Sequence, residues 1–236
     1  MAGSNSFVTT ARNIAWLISL GGALASATAA EVRGTVRIDY QGLFEVDNRS
    51  QDHPVSVALF PDRGQRPAPR RPRTRQINIV ENRMHPAFIT IQKGDRVSFV
   101  NHDAVFHQLF SLSSAEPVSI QLGKADGPNT TMATLAPDHP GTTHVFCRIH
   151  HKSYARIDVV ATPHMATVQP GEQFHFGGLA PGRWRLRLAS PAAETQWLKV
   201  TALTTPPPLS LTLISHGGGS GTRPLGTWAG IEDLYR

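Results

Sequence analysis

The feature that most constrains this chain is a series of short apolar runs between Ile77 and Val160, each too brief to be a helix. Ile77–Val80, Phe88–Ile91, Arg96–Val100, Gln108–Leu112, Val118–Leu122, Thr131–Leu135, Thr142–Phe146 and Arg156–Val160 are rich in β-branched and aromatic residues. Turn signals separate them, among them Lys93-Gly94, Asp126-Gly127-Pro128 and the Pro137 to Gly141 stretch. Such runs at this spacing, with no helical period, predict an all-β sandwich. Two flanks extend the pattern. Before it, Glu31–Asp39 alternates as a half-buried strand and Val55–Phe60 is another, closed by Pro61. After it, Phe174–Leu179 and Gly182–Leu188 read as strands around a Pro181-Gly182 turn, followed by Gln196–Thr201 and Leu209–Leu213. Trp184, Leu186 and Leu188 share one face of their strand, and Arg183, Arg185 and Arg187 the other, which reads as the solvated side. At 236 residues the chain can bury one large core or two small ones.

The N-terminus has a different texture. Arg12, an apolar run from Ile14 to Ala25 and the small residues Ala27-Thr28-Ala29 have the layout of a secretory signal peptide over residues 1–30. The run is shorter than the ~20 residues that a spanning helix needs, and no cysteine follows it to carry a lipid anchor. A periplasmic or secreted protein is therefore expected, with no membrane span after signal removal. The formal charge of +6 falls to +5 when the segment, with its single Arg12, is removed. Much of that excess lies in residues 63–75, where Arg63, Arg66, Arg70, Arg71, Arg73 and Arg75 are interrupted by Pro67, Pro69 and Pro72. The prolines exclude a helix or a central strand, so the stretch reads as a solvated linker. A nucleic-acid arm does not suit an exported protein.

One cysteine in an oxidising compartment has no disulfide partner within the chain. Cys147 ends a strand-like run, and His150 follows three residues later; His107 stands forty residues upstream, just past the run ending at Val100. Thiolate with two imidazoles is the donor set of a blue-copper electron-transfer site. A c-type haem needs two cysteines and is excluded. A cysteine hydrolase needs an oxyanion hole and a third orienting group, for which no spacing speaks. Zinc on one sulfur and two nitrogens usually takes a further protein ligand.

Gly94, Val97, Phe99, Asn101, Asp103 and His107, followed by Pro140, Gly141, Phe146, Cys147 and His150, form a pattern that resembles the plastocyanin-like cupredoxins over roughly residues 76–161. The flanks resemble those of cupredoxins labelled methylamine utilization proteins, from which no methylamine chemistry is inferred. Phe174 to Leu186 looks like part of a carboxypeptidase-regulatory or transthyretin-like sandwich, and strands 31–60 like its first half. The resemblance implies a Greek-key cupredoxin sandwich inserted into, or flanked by, a small transthyretin-like sandwich. Its parts are residues 31–62 and 162–214, with a loose tail at 215–236.

By resemblance one copper ion is held by His107, Cys147 and His150, and Asn101 braces the ligand loop. One departure stands out: Ser153 occupies the place where related motifs carry an axial methionine. The centre is then three-coordinate, uses a backbone oxygen or water, draws in His151, or has lost copper. Met84 and His85 are outside candidates for an extra contact. His102, His144, His164 and His175 read as surface histidines. The expected function is one-electron transfer, not catalysis, with partners such as a c-type cytochrome or a periplasmic oxidoreductase. The alternative is a copper-carrying or degenerate, non-redox cupredoxin that serves as a structural, partner- or glycan-binding module.

Overall fold

The structure is a computed structural model that describes residues 29–41, 53–62, 70–111 and 117–216. The apolar run of the signal segment, most of the Arg/Pro linker and residues 217–236 lie outside the described residues. Among those described, every regular element is a strand, which is the all-β class the sequence predicts. In chain order they are β1 (Ala30–Gln41), β2 (Val55–Pro61), β3 (Thr74–Val80), β4 (Arg83–His85), β5 (Phe88–Gln92), β6 (Arg96–Asn101), β7 (His107–Ser111) and β8 (Ser119–Leu122). Then follow β9 (Thr131–Leu135), β10 (Gly141–Cys147), β11 (Tyr154–Val160), β12 (Met165–Val168), β13 (Gln173–Leu179), β14 (Gly182–Ser190), β15 (Ala193–Ala202) and β16 (Leu209–His216).

These strands form two sandwiches, one threaded into the other. A 3-stranded sheet β13-β1-β16 and a 4-stranded sheet β12-β2-β14-β15 combine strands from before and after the middle of the chain. Their shared core contains Val36, Val57, Leu59, Phe174, Trp184, Leu186 and Leu188. Between β2 and β12 the chain builds a 5-stranded sheet β5-β11-β10-β7-β8 and a 4-stranded sheet β4-β3-β6-β9. Their core is separate: Ile77, Ile79, Ile91, Val97, Phe99, Leu109, Val145, Cys147 and Ile157. Alternation places these side chains on the inner faces of both sheets. Gly34 of β1 permits a close approach, because a Cβ there would meet the backbone of Leu209 on the parallel neighbour β16.

Four local expectations need correction. The solvated linker does not reach residue 75, since β3 starts at Thr74 and Arg70 and Arg73 are already fixed. The cause is Asp95, 1% exposed, whose carboxylate takes both Arg70 nitrogens and the backbone N–H groups of Arg73 and Gln92. Burial alone would raise the Asp95 carboxyl, but these donors outweigh it and hold it below the usual carboxylate range. Ala30, assigned to the signal segment, is buried in β1 opposite Leu179. At the other end, Ser215 is buried in β16 instead of opening a loose tail. At three and four residues, β4 and β12 are too short to show a period.

The fourth correction concerns the arginine face of β14. Arg183 is open to solvent, yet Arg187 turns to the other sandwich and meets Asp158 of β11, which is fully buried. Arg156 also binds Asp158 at 3.1 Å, Thr142 Oγ1 donates to it at 2.8 Å, and Arg156 reaches the Ser190 carbonyl at 3.2 Å. A buried carboxylate needs such donors, and here they come from both sandwiches. Asp158→Ala strands two guanidinium groups, so it should cost about 3–5 kcal/mol in urea unfolding. A loss below about 1 kcal/mol would place this network at the level of an exposed pair.

Candidate metal centre

The positions of the three expected donors follow from the pairing of two neighbouring strands. β10 runs antiparallel to β7, with Phe146 opposite Phe110 and Cys147 opposite Leu109. The ladder extends one step further, as Arg148 N–H donates to the Gln108 carbonyl at 2.9 Å. His107, at the start of β7, is thereby brought level with the loop after Cys147. That loop folds back on itself: Ser153 N–H donates to the His150 carbonyl at 2.9 Å, and Cys147 N–H to the Ser153 carbonyl at 3.1 Å. His150 is carried over the end of the sheet.

The result is a compact triangle of donor atoms. Cys147 Sγ lies 3.6 Å from His107 Nδ1 and 3.7 Å from His150 Nδ1, and the two nitrogens are 3.1 Å apart. Cys147 and His107 are buried at 0% and 1% exposure, and His150 is half-buried at the edge. Burial, with the charge of neighbouring His150 adding to it, holds the His107 ring below the ordinary imidazole range, against the opposite pull of Asp103. A neutral ring leaves a lone pair available.

Does a metal ion fit? The far nitrogen of His107, Nε2, faces the Asp103 carboxylate at 3.1 Å. A carboxylate only accepts, so Nε2 carries the hydrogen and Nδ1 the lone pair. That lone pair points among a second Nδ1 and a sulfur, away from water. Ligand bonds of about 2.0–2.3 Å to one ion set neighbouring donors roughly 3.5–3.7 Å apart in a trigonal plane. Two edges of the triangle match, and the third is slightly tight. The residues fit a single soft-to-borderline ion.

The surrounding residues sort as follows. Asn101, fully buried at the end of β6, donates to the Val105 and Gly123 carbonyls at 2.9 and 2.7 Å and accepts from Asp103 N–H at 2.9 Å. It thus ties down the loop that leads to His107. Ser153 is buried, and its hydroxyl is without a hydrogen-bond partner, an orphaned oxygen in the closed ligand loop. His151 is exposed and outside the cluster of His107, Cys147 and His150. Met84 packs in the hydrophobic core, and His85 is exposed. Two of the surface histidines are not at the surface: His144 is half-buried against the Tyr154 hydroxyl at 2.9 Å, and His164 packs edge-on to Trp184.

Asp103 is the residue whose part the sequence reading understated. In the sequence it is one position of the cupredoxin-like pattern, but its carboxylate holds a candidate ligand. The only available signal was an acid four places before the histidine.

No protein-family profile matches this chain, and no curated protein matches it. Solved structures do. Amicyanins are among them. Amicyanin from Paracoccus versutus is 16% identical over 36% of this chain and 78% of that chain, with a TM-score of 0.32. A methionine-to-alanine mutant in the Cu(I) form is 15% identical over 36% and 79%, with a TM-score of 0.31. A reduced tryptophan-to-tyrosine mutant is 15% identical over 36% and 81%, with a TM-score of 0.32. Likeness this distant decides nothing about the site, which is read from its own atoms.

Beside the triangle, Tyr154 sits opposite Phe146 across β10 and β11, with ring centroids 5.2 Å apart. Burial pushes its phenol up to about 12. The fold therefore favours the neutral phenol, while an unfolded chain ionises near ~10. The contribution is complete below about 10 and is lost as pH rises through about 12. A tyrosinate absorbance titration should show a step at about 12 that Tyr154→Phe removes. The same variant should flatten the fall in stability across that window.

Proposed function

We propose that this is a periplasmic, mononuclear copper protein that carries single electrons between redox partners and catalyses no reaction itself. The observation that carries the reading is the convergence of Cys147 Sγ, His107 Nδ1 and His150 Nδ1 on one buried point. Bound there, copper would supply a one-electron couple, and a thiolate with two imidazoles serves both of its oxidation states.

The protein's own contribution is rigidity and exclusion of water. Cys147 is locked in the central strand of its sheet, and His107 is held from the far side by Asp103. Neither has room to rearrange when the charge between them changes. His150 is the half-buried donor and so the natural contact for an incoming partner. Around it Val105, Phe106 and Ile149 are 40%, 57% and 55% exposed, an unusual concentration of open apolar side chains. Lys124 lies over the Phe106 ring and exposed Arg148 directly precedes Ile149, so cations border that apolar rim. An acidic redox protein, such as a c-type cytochrome or a periplasmic oxidoreductase, suits such a surface.

The wider pattern of the chain supports a finer placement among cupredoxins of the methylamine utilization type, with the outer strands as a transthyretin-like sandwich. With Ser153 in place of a thioether, the fourth position has only weak oxygen donors to draw on. A centre of that kind favours Cu(I) and a raised reduction potential.

A second reading has its own observation. A cleft of ≈ 580 Å³ is lined by residues of both sandwiches, including His53, Arg75, Phe88, Tyr154, Thr167 and Gln169. It favours a ligand- or partner-binding module in which redox chemistry is secondary or lost.

Copper titration separates the two. Cu(II) added to the chain from Ala30 onward should produce an intense thiolate-to-copper band in the visible and a narrow copper hyperfine splitting in EPR. Cys147→Ser should abolish the band, and Ser153→Met should lower the potential. Copper bound without the band would favour a carrier, and no binding would favour the module.

A further inference from the structure

The geometry points to Asp103 as the positioning residue that fixes the tautomer of His107 and, with copper bound, sets the electron-donating strength of that ring. The first half stands on the geometry alone. The second rests on the copper reading given above.

The carboxylate of Asp103 accepts from three donors. Its Oδ1 accepts from Glu81 N–H at 2.7 Å, and its Oδ2 from Asn82 N–H at 2.9 Å and from His107 Nε2 at 3.1 Å. Glu81 and Asn82 form the β3–β4 turn and both adopt left-handed backbone, with φ of 52° and 59°. That conformation aims two successive N–H groups at one carboxylate. Asp103 is itself held by its main chain, through its N–H to Asn101 Oδ1 and its carbonyl to Ala125 N–H at 2.8 Å. The anion is therefore fixed from four sides before it meets the ring. The His107 side chain is fully buried and that of Asp103 14% exposed, so water cannot replace the contact.

Three donors on two oxygens make the position intolerant of an amide. Asparagine has one acceptor oxygen, so its NH₂ must face at least one of the three N–H groups. The amide oxygen can still take the Oδ2 place and spare His107, whereas alanine removes both oxygens. His107 Nε2–H then has no acceptor, and the ring is free to move its hydrogen to Nδ1, which would cover the lone pair aimed at Cys147. A carboxylate, unlike a neutral acceptor, also donates charge through the ring to the opposite nitrogen. The more highly charged metal state benefits most, so Asp103 favours Cu(II) over Cu(I). It works against the raised potential that Ser153 implies.

The test begins without metal. Long-range ¹⁵N–¹H NMR of the metal-free chain should show His107 as the Nε2–H tautomer; an Nδ1–H ring in the unaltered protein would overturn the proposal with no variant needed. In Asp103→Ala the ring should shift toward Nδ1–H. With copper, the same variant should lose Cu(II) affinity by about 10–100-fold and show a higher reduction potential. Asp138→Asn, which neutralises an exposed carboxylate outside this network, should leave tautomer, affinity and potential unchanged. An unchanged tautomer in Asp103→Ala, or losses as large in Asp138→Asn, would overturn the positioning role of Asp103. Failure of the unaltered protein to bind Cu(II) would remove the copper reading, while the tautomer comparison would still decide the first half.

Discussion

The antiparallel pairing of β7 with β10 is the constraint on which the rest of the site depends. It sets Cys147 opposite Leu109 inside the hydrophobic core and leaves His107 where the chain returns after Cys147. A slip of one residue would turn Cys147 outward and point His107 away, because side chains alternate strictly across a strand. That slip is resisted by the burial of Leu109 and Val145 on the same inner face. The packing that stabilises the sandwich is therefore also what aims the donors. The loop 147–153 adds His150 without a further element, by closing on its own backbone.

Three carboxylates organise the polar part of the inserted sandwich, and each does so by being short of water. Asp95 gathers Arg70, Arg73 and Gln92 and so fixes where β3 begins. Asp158 gathers Arg156, Thr142 and Arg187 and so joins the sandwiches. Asp103 gathers two turn amides and a ring. A buried anion is costly unless every lone pair finds a donor, so each of these acts as a local assembly point. Each joins a partner close in sequence to others 16 to 29 positions away.

The insertion has a functional sense as well. Tyr154 packs on Phe146, next to Cys147, and also lines the cleft where the sandwiches meet. The outer sandwich thus borders the inserted one at this cleft. The centre keeps one open edge, at His150, while the remaining donors stay enclosed.

The sequence by itself determined the class and the candidates. Strands of four to seven residues with turn signals between them cannot bury their apolar faces except in sheets, and a cysteine three residues before a histidine, taken together with the upstream Asn101 to His107 half of the pattern, points to a metal. It also distinguished His150 from His151 by spacing alone. Only the tertiary structure decided which donors converge, because register depends on contacts between distant strands. The same holds for Arg70 and Arg187, which in sequence look like solvated charges. Their partners Asp95 and Asp158 stand 25 and 29 positions away, and no local pattern records a pairing created by burial. Asp103 marks the limit most clearly. Its four-residue spacing to His107 was visible, but the carboxylate becomes a support for that ring only when the β3–β4 turn packs against it and water is excluded.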